Sequence, residues 1–227
     1  VRPADERFWT LQELFDRSRL YAEETVVKPV ALSQCEIQPY NGEDLALVGP
    51  QGKPATFQHY SFGQLCGVAK APAAYLRELP ASLASANLNH GLRQIDGEQM
   101  LMFHRNGGLQ LRCVTSDKYQ RIWNYEVAEM ALALQENSGW VIPPARPCGM
   151  PDVPVRKATQ ADVLRNSAHP TLGIRVGDDI SPSGLYVSDH DCFIFQVNEN
   201  ASIDGGDGEQ LYRGVFWSNS ECGESKF

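Results

Sequence analysis

The sequence predicts an α+β fold, a mostly antiparallel sheet with flanking helices and a small helical cluster at residues 61–93. Three observations predict it. Helical and strand-like periodicities are interspersed without a βαβ rhythm. Turn signals at Gly49–Gly52, Asn106–Gly108 and Asp204–Gly208 adjoin short apolar runs. The 227 residues, 42% hydrophobic and 21% charged, have the makeup of a folded domain rather than a disordered chain.

The elements follow in order. Phe8, Leu11, Leu14 and Phe15 recur at helical spacing and predict a helix over residues 5–25. Leu45–Val48 reads as a strand running into the turn Gly49–Gly52, with a hairpin partner near Gln34–Gln38. Ser61 and Gln64 have the spacing of a capping box ahead of Leu65 and Val68. Pro72 suits the first turn of a helix over Ala73–Leu79, and Pro80 opens a third, with Gly91 at its C-terminal stop. This pair of short helices has a helix-turn-helix look, yet Arg77 is the only basic residue of the second, so plain core helices fit as well.

Met100–Phe103 and the alternating Leu109, Leu111 and Cys113 flank Asn106-Gly107-Gly108 and read as a hairpin. Val127, Met130, Ala131 and Leu134 share one face of a helix over residues 125–136. Five prolines in 143–154 suggest a linker or a rigid crossover, dividing a region 1–142 from a β-rich region 155–227, if the two are not one continuous domain. Thr159 and Asp162 mark a short helix start. Leu185–Val187, the run around Phe193, Phe195 and Val197, and Tyr212–Ser218 read as antiparallel strands.

Net charge is -8, but it is uneven. Residues 61–123 carry seven basic and four acidic residues, against six and nine in 1–60 and seven and fifteen in 124–227. Only the middle third offers a basic face for nucleic acid. Within it lie Arg105, Arg112, Lys118, Tyr119, Arg121 and Trp123, cations beside rings, as a single-strand groove requires. Tyr119 and Trp123 are also four apart, so one buried helix face is the competing reading.

Asp189, His190 and Asp191 form the densest polar cluster, with Asp178, Asp179 and Glu199 around it. Carboxylates plus an imidazole suit Mg²⁺ or Mn²⁺, while a tight turn accounts for the same residues without a metal. Asp204–Glu209 resembles part of a calcium loop but lacks its spacing, and reads as a hairpin loop. His59, His90 and His169 stand apart from acidic or nucleophilic neighbours. The six cysteines lack a CxxC pair and sit among apolar neighbours, as reduced buried thiols do. The phosphate-loop, dinucleotide, nucleophile-elbow and zincin motifs are absent, and no cofactor is expected. No run of about 18 apolar residues and no apolar leader is present, so the expected setting is cytoplasmic, without a membrane partner.

Gly184–Phe195 and Tyr212–Gly223, with Arg112–Ile122 and the stretch from Phe62 to Leu92, resemble the phage/plasmid-like protein family DUF932, a family of unknown function. The resemblance spans most of residues 60–227. It implies a bacterial mobile-element setting and carries over no catalytic residue. Members continue past the Asn-Ser-Glu-x-Gly segment, so it also implies that this chain is trimmed or partial. Three functions follow as expectations. The first is a nucleic-acid-associated protein, a single-strand binding or annealing accessory in recombination that forms homo-oligomers. The second is a metal-dependent enzyme acting on nucleic acid. The third is a protein-interaction module directed at a host protein.

Overall fold

The computed structural model describes residues 6–105, 108–147, 155–166, 173–188, 191–206 and 208–223. Of residues 105, 147, 165 and 166 it describes the backbone only. In chain order the elements are α1 (Leu11–Glu23), β1 (Thr25–Val30), β2 (Glu36–Tyr40), β3 (Asp44–Val48), β4 (Pro54–Phe57), α2 (His59–Val68), α3 (Ala73–Glu78) and α4 (Ala81–Leu92). They continue with β5 (Gln99–Arg105), β6 (Leu109–Thr115), α5 (Asn124–Ser138), β7 (Trp140–Val141), β8 (Arg146–Pro147), β9 (Arg156–Lys157), α6 (Gln160–Asn166), β10 (Asp179–Ser181), β11 (Leu185–Val187), β12 (Asp191–Gly206) and β13 (Glu209–Ser220). The fold is α+β, with mostly antiparallel pairing. The chain forms two compact units, one of Val1–Leu20, Ile122–Glu221 and Ser225–Phe227, the other of Tyr21–Arg121 and Cys222–Glu224.

The second unit is built on a six-stranded sheet in the order β1-β5-β6-β4-β3-β2, in which only β4 and β6 run parallel. One face carries Ile37, Leu47, Leu101, Phe103 and Leu111, packed with Leu65 and Leu88 of the helices. Such sheet faces bury side chains of alternate residues, and β6 breaks the alternation once. Met102 pairs with Cys113 but Phe103 pairs with Leu111, so Arg112 is an extra residue in the ladder. Val114 thereby joins Leu111 in the core, and Cys113, expected beside Leu111, turns to the other face.

Several local expectations shift in this unit. The helix predicted over 5–25 ends at Glu23, and Thr25 already belongs to β1. The turn Gly49–Gly52 joins β3 to β4, whereas β2 and β3 meet at Asn41-Gly42. The capping box sits three residues earlier than expected. Gln58 is the N-cap of α2 and Ser61 accepts its backbone N–H at 3.1 Å. Gln64 instead reaches across, its Oε1 accepting the Val114 N–H at 2.9 Å and its Nε2 donating to the Cys222 carbonyl at 2.7 Å. Pro72 and Pro80 are N-caps. Gly91 does not stop α4, which runs to Leu92; a Cβ there would lie 2.4 Å from the Ala69 carbonyl oxygen.

In the first unit β12 is the central strand. It pairs with β13 along one side, and with β11 and then β7 along the other. Its inward residues Cys192, Ile194 and Gln196 are buried against α5, with Val127 and Ala131 facing them and Met130 half exposed. Gln196, with no exposed surface, donates to the Ala131 carbonyl and accepts the Trp217 indole N–H, each at 2.9 Å. That satisfies both ends of a buried amide. α5 ends at Gly139, whose φ of 70° is the left-handed stop of a helix. A small sheet, β8-β10-β9, stands apart with its own core of Ala158, Ile174 and Ile180. Thr159 and Asp162 cap α6 as expected. Residues 148–154 of the proline-rich segment lie outside the described residues.

Candidate functional site

The basic segment is the first candidate. The side chain of Arg105 lies outside the described residues. Arg112 is 1% exposed, and its Nη1 donates to the Thr25 hydroxyl at 2.9 Å. The bulge in β6 turns it into the protein, and a cation held there meets no phosphate. Lys118 is exposed in the loop after β6. Tyr119 and Arg121 are half-buried, the guanidinium 5.8 Å above the ring. Arg121 Nη2 also donates to Cys113 Sγ at 3.5 Å. A hydrogen bond from the Cys222 thiol and the charges of Arg121 and Arg112 outweigh burial and hold the Cys113 thiol below its ordinary range. Burial alone works the other way at Cys66, pushed up to about 11. Trp123 belongs to the other unit, as N-cap of α5, with its ring stacked on Tyr125 at 6.4 Å. The structure therefore brings Arg112, Tyr119 and Arg121 to the neighbourhood of Cys113 and Cys222 and leaves Lys118 as the exposed cation of that group.

The acidic cluster is the second. Asp189 and His190 lie outside the described residues. The Asp191 backbone N–H donates to the Ser188 hydroxyl at 3.1 Å, and its carbonyl accepts the Ser188 N–H at 2.8 Å. Asp178 accepts the Arg175 N–H at 2.8 Å and Asp179 pairs with Lys157 at 2.9 Å. Among the described residues no group of three or more His, Cys, Asp or Glu is placed to hold a metal ion. His59 opens α2, and its carbonyl accepts Arg77; His90 bonds Gln94 on the same helix; His169 is outside the described residues.

A cavity of about 890 Å³ lies on the helix-bearing face of the six-stranded sheet, beside the β3–β4 turn. Leu47, Leu101 and Phe103 line its floor and Lys28, Lys53 and Glu98 its rim. Lys28 spends its charge over the Phe103 ring, 5.1 Å away.

The feature that sequence reasoning passed over is an edge. β13 is 12 residues long and, among the described residues, pairs only with β12. The edges at β1, β2 and β11 are guarded in the ways natural sheets use. β1 carries exposed Lys28 and Pro29. At β2, Asn89 of α4 takes up both the N–H and the carbonyl of Ile37, at 2.7 and 2.9 Å. β11 is three residues long and meets Arg7 in a bridge at Tyr186. β13 contains no lysine and no proline, the signal that could have been read from the sequence. Ser202–Gly206 of β12 and Glu209–Leu211 of β13 are all exposed, on both faces of the hairpin. It pairs Ile203 with Leu211, 63% and 51% exposed. Nearer its base, Phe216 is 59% exposed and stacks on Phe193 at 5.5 Å. Apolar side chains thus lie along a strand that, among the described residues, has a neighbouring strand on one side alone.

Comparison with protein-family models, with curated proteins and with solved structures found no match. Among the described residues no helix is long and apolar enough to cross a membrane.

Proposed function

We propose that this chain is a protein-interaction module that engages a polypeptide by strand addition along β13. One observation carries the reading, a 12-residue strand without lysine or proline that pairs on one side alone among the described residues, where β1, β2 and β11 are each guarded. An open edge offers a row of backbone donors and acceptors, and a strand laid along it gains main-chain hydrogen bonds plus pockets for alternate side chains. Exposed Leu211 and Phe216 supply the apolar part. The first unit holds eighteen acidic and eleven basic residues, which favours a polypeptide over a phosphate backbone as its partner. The test is a photo-crosslinking amino acid placed at Tyr212, with exposed Leu83 of α4 as control position. Crosslinks to polypeptide from Tyr212 above the control, abolished by Val215→Pro, are expected. Crosslinking no greater than the control overturns the proposal.

A second reading, the nucleic-acid association that the DUF932 resemblance and the basic middle third suggest, draws support from exposed Lys118 beside the Tyr119–Arg121 pair. Fluorescence anisotropy with labelled single-stranded DNA, duplex DNA and RNA at low and moderate salt tests it. Salt-sensitive binding that prefers single strands supports it, and no binding at low salt removes it.

A further inference from the structure

β13 carries two ionised side chains, Glu209 and Arg213, of opposite sign and four residues apart, with Leu211 midway. In a strand these three point to the same face. An antiparallel pairing of β13 with a second β13 has two-fold symmetry, so each choice of centre dictates every facing pair. Centred on Glu209 it sets two carboxylates opposite each other; centred on Arg213 it sets two guanidiniums opposite each other. Both cost stability, because like charges directly opposite repel. Centred on Leu211, Glu209 of each copy faces Arg213 of the other, Leu211 faces Leu211, and Gln210 faces Tyr212.

The same register completes an apolar row. Ile203 on β12 is the direct partner of Leu211. Across the joined sheet the order becomes Ile203, Leu211, Leu211 of the second copy, Ile203 of the second copy. Two side chains that are 63% and 51% exposed in one chain are then flanked on the pleat. Tyr212 and Gln210 lie on the opposite face, where the tyrosine hydroxyl already donates to the Gln210 carboxamide at 2.9 Å.

We infer that the occupant of the open edge is a second copy of this chain, paired β13 to β13 in antiparallel register about Leu211. This rests on the strand-addition reading and names its partner. The pairing spans residues 209–213, a short contact well below the roughly 1,000 Å² of a stable interface, so the dimer is weak and concentration-dependent.

Sedimentation equilibrium on the whole chain up to about 0.1 mM reads it directly. The expected mass rises from 25.2 kDa toward twice that value. Glu209→Arg and Arg213→Glu should each weaken the dimer by about tenfold or more, since each places like charges opposite at both ends. An equimolar mixture of the two variants should recover the mass, because one chain then presents only arginines and the other only glutamates. Oxidised Leu211→Cys should give a disulfide-linked dimer joined at residue 211 by peptide mapping. A wild-type chain that stays monomeric to 0.1 mM, or a mixture no heavier than its components, overturns the inference. In that event crosslinks from Tyr212 to a different polypeptide leave strand addition standing and self-pairing lost. Absence of any crosslink to polypeptide removes both.

Discussion

The Glu221 carboxylate accepts the backbone N–H of Asn124 at 2.8 Å, in a place where both residues are 1% exposed. Asn124 is the first residue of α5, where backbone donors have no helical partner. The preceding N–H, on Trp123, goes to Glu126 of the same helix at 2.7 Å. One orphan donor is thus met locally and the next by Glu221, one residue past β13 and 97 residues away. The positive end of the helix dipole adds to both contacts. Asn219 reinforces the join, its amide donating to Asn124 Oδ1 at 2.7 Å and to the Ile122 carbonyl at 3.0 Å.

Removing the Glu221 side chain therefore leaves a buried donor without its acceptor. Glu221→Ala should cost about 2–3 kcal/mol, the penalty of an unsatisfied buried group plus a charge-assisted bond. Glu221→Gln keeps an oxygen at the same place and should cost about 1 kcal/mol, mostly the lost charge. Urea unfolding of the two variants checks the order; equal losses would show that the contact contributes bulk rather than a hydrogen bond.

Gly91→Ala tests the close approach of α4 to the end of α2. In an exposed helix the change would gain about 1 kcal/mol of propensity. Here the new Cβ would meet the Ala69 carbonyl oxygen at 2.4 Å and the Ala69 Cβ at 2.9 Å. Neither is the end of a flexible side chain, so a helix must move. Overpacking of this kind costs about 1–3 kcal/mol, and with backbone in the way the upper end applies. A net loss of about 2 kcal/mol in urea unfolding is expected, and a gain would mean that the helices separate freely.

These two sites also mark how far the sequence could be read. Capping chemistry is local, so Thr159 and Asp162 announced α6 correctly. The same logic placed a box at Ser61 and Gln64, because any S-x-x-Q looks alike until the strand that claims Gln64 is known. Gly91 was legible as special but not as a contact, since the Ala69 carbonyl it meets lies 22 residues earlier. The bulge at Arg112 has no signature in the run Leu109–Val114, and it alone moves an arginine from expected surface to interior. β1 was hidden because Lys28 and Pro29 spoil a strand pattern, though they are what an edge needs. The discontinuous units follow from long-range pairing, which composition along the chain does not encode.

Acid should loosen the small sheet through Asp162. Its carboxylate receives both Nη atoms of Arg156 at 2.7 Å, and this bond, ahead of those from Thr159, holds its pKa below the usual carboxylate range. Arg156 in turn covers the Trp9 ring at 4.3 Å. A depressed folded pKa contributes stability above the unfolded value of about 4 and loses it as pH falls through the folded value. The wild type should therefore weaken progressively below about pH 4. Asp162→Asn should remove that part of the slope while lowering stability at pH 7. Thermal unfolding from pH 7 to pH 2 gives both curves; parallel slopes would refute the role of the Asp162–Arg156 pair.

Arg112 and Lys118 separate stability from recognition. Arg112 sits in the protein with its Nη1 on Thr25, so Arg112→Met should cost about 1–3 kcal/mol in unfolding. It should leave any nucleic-acid affinity of the folded chain unchanged. Lys118 is exposed, and Lys118→Ala should leave stability within about 0.5 kcal/mol. If single-stranded DNA is bound at this loop, the same change should weaken binding about equally for every sequence and flatten the salt slope by about 1. Anisotropy of both variants across a salt series decides it. A loss of affinity in Arg112→Met at full folding would mean that the guanidinium reaches the surface, and an unchanged Lys118→Ala would move any nucleic-acid site away from the β6 loop.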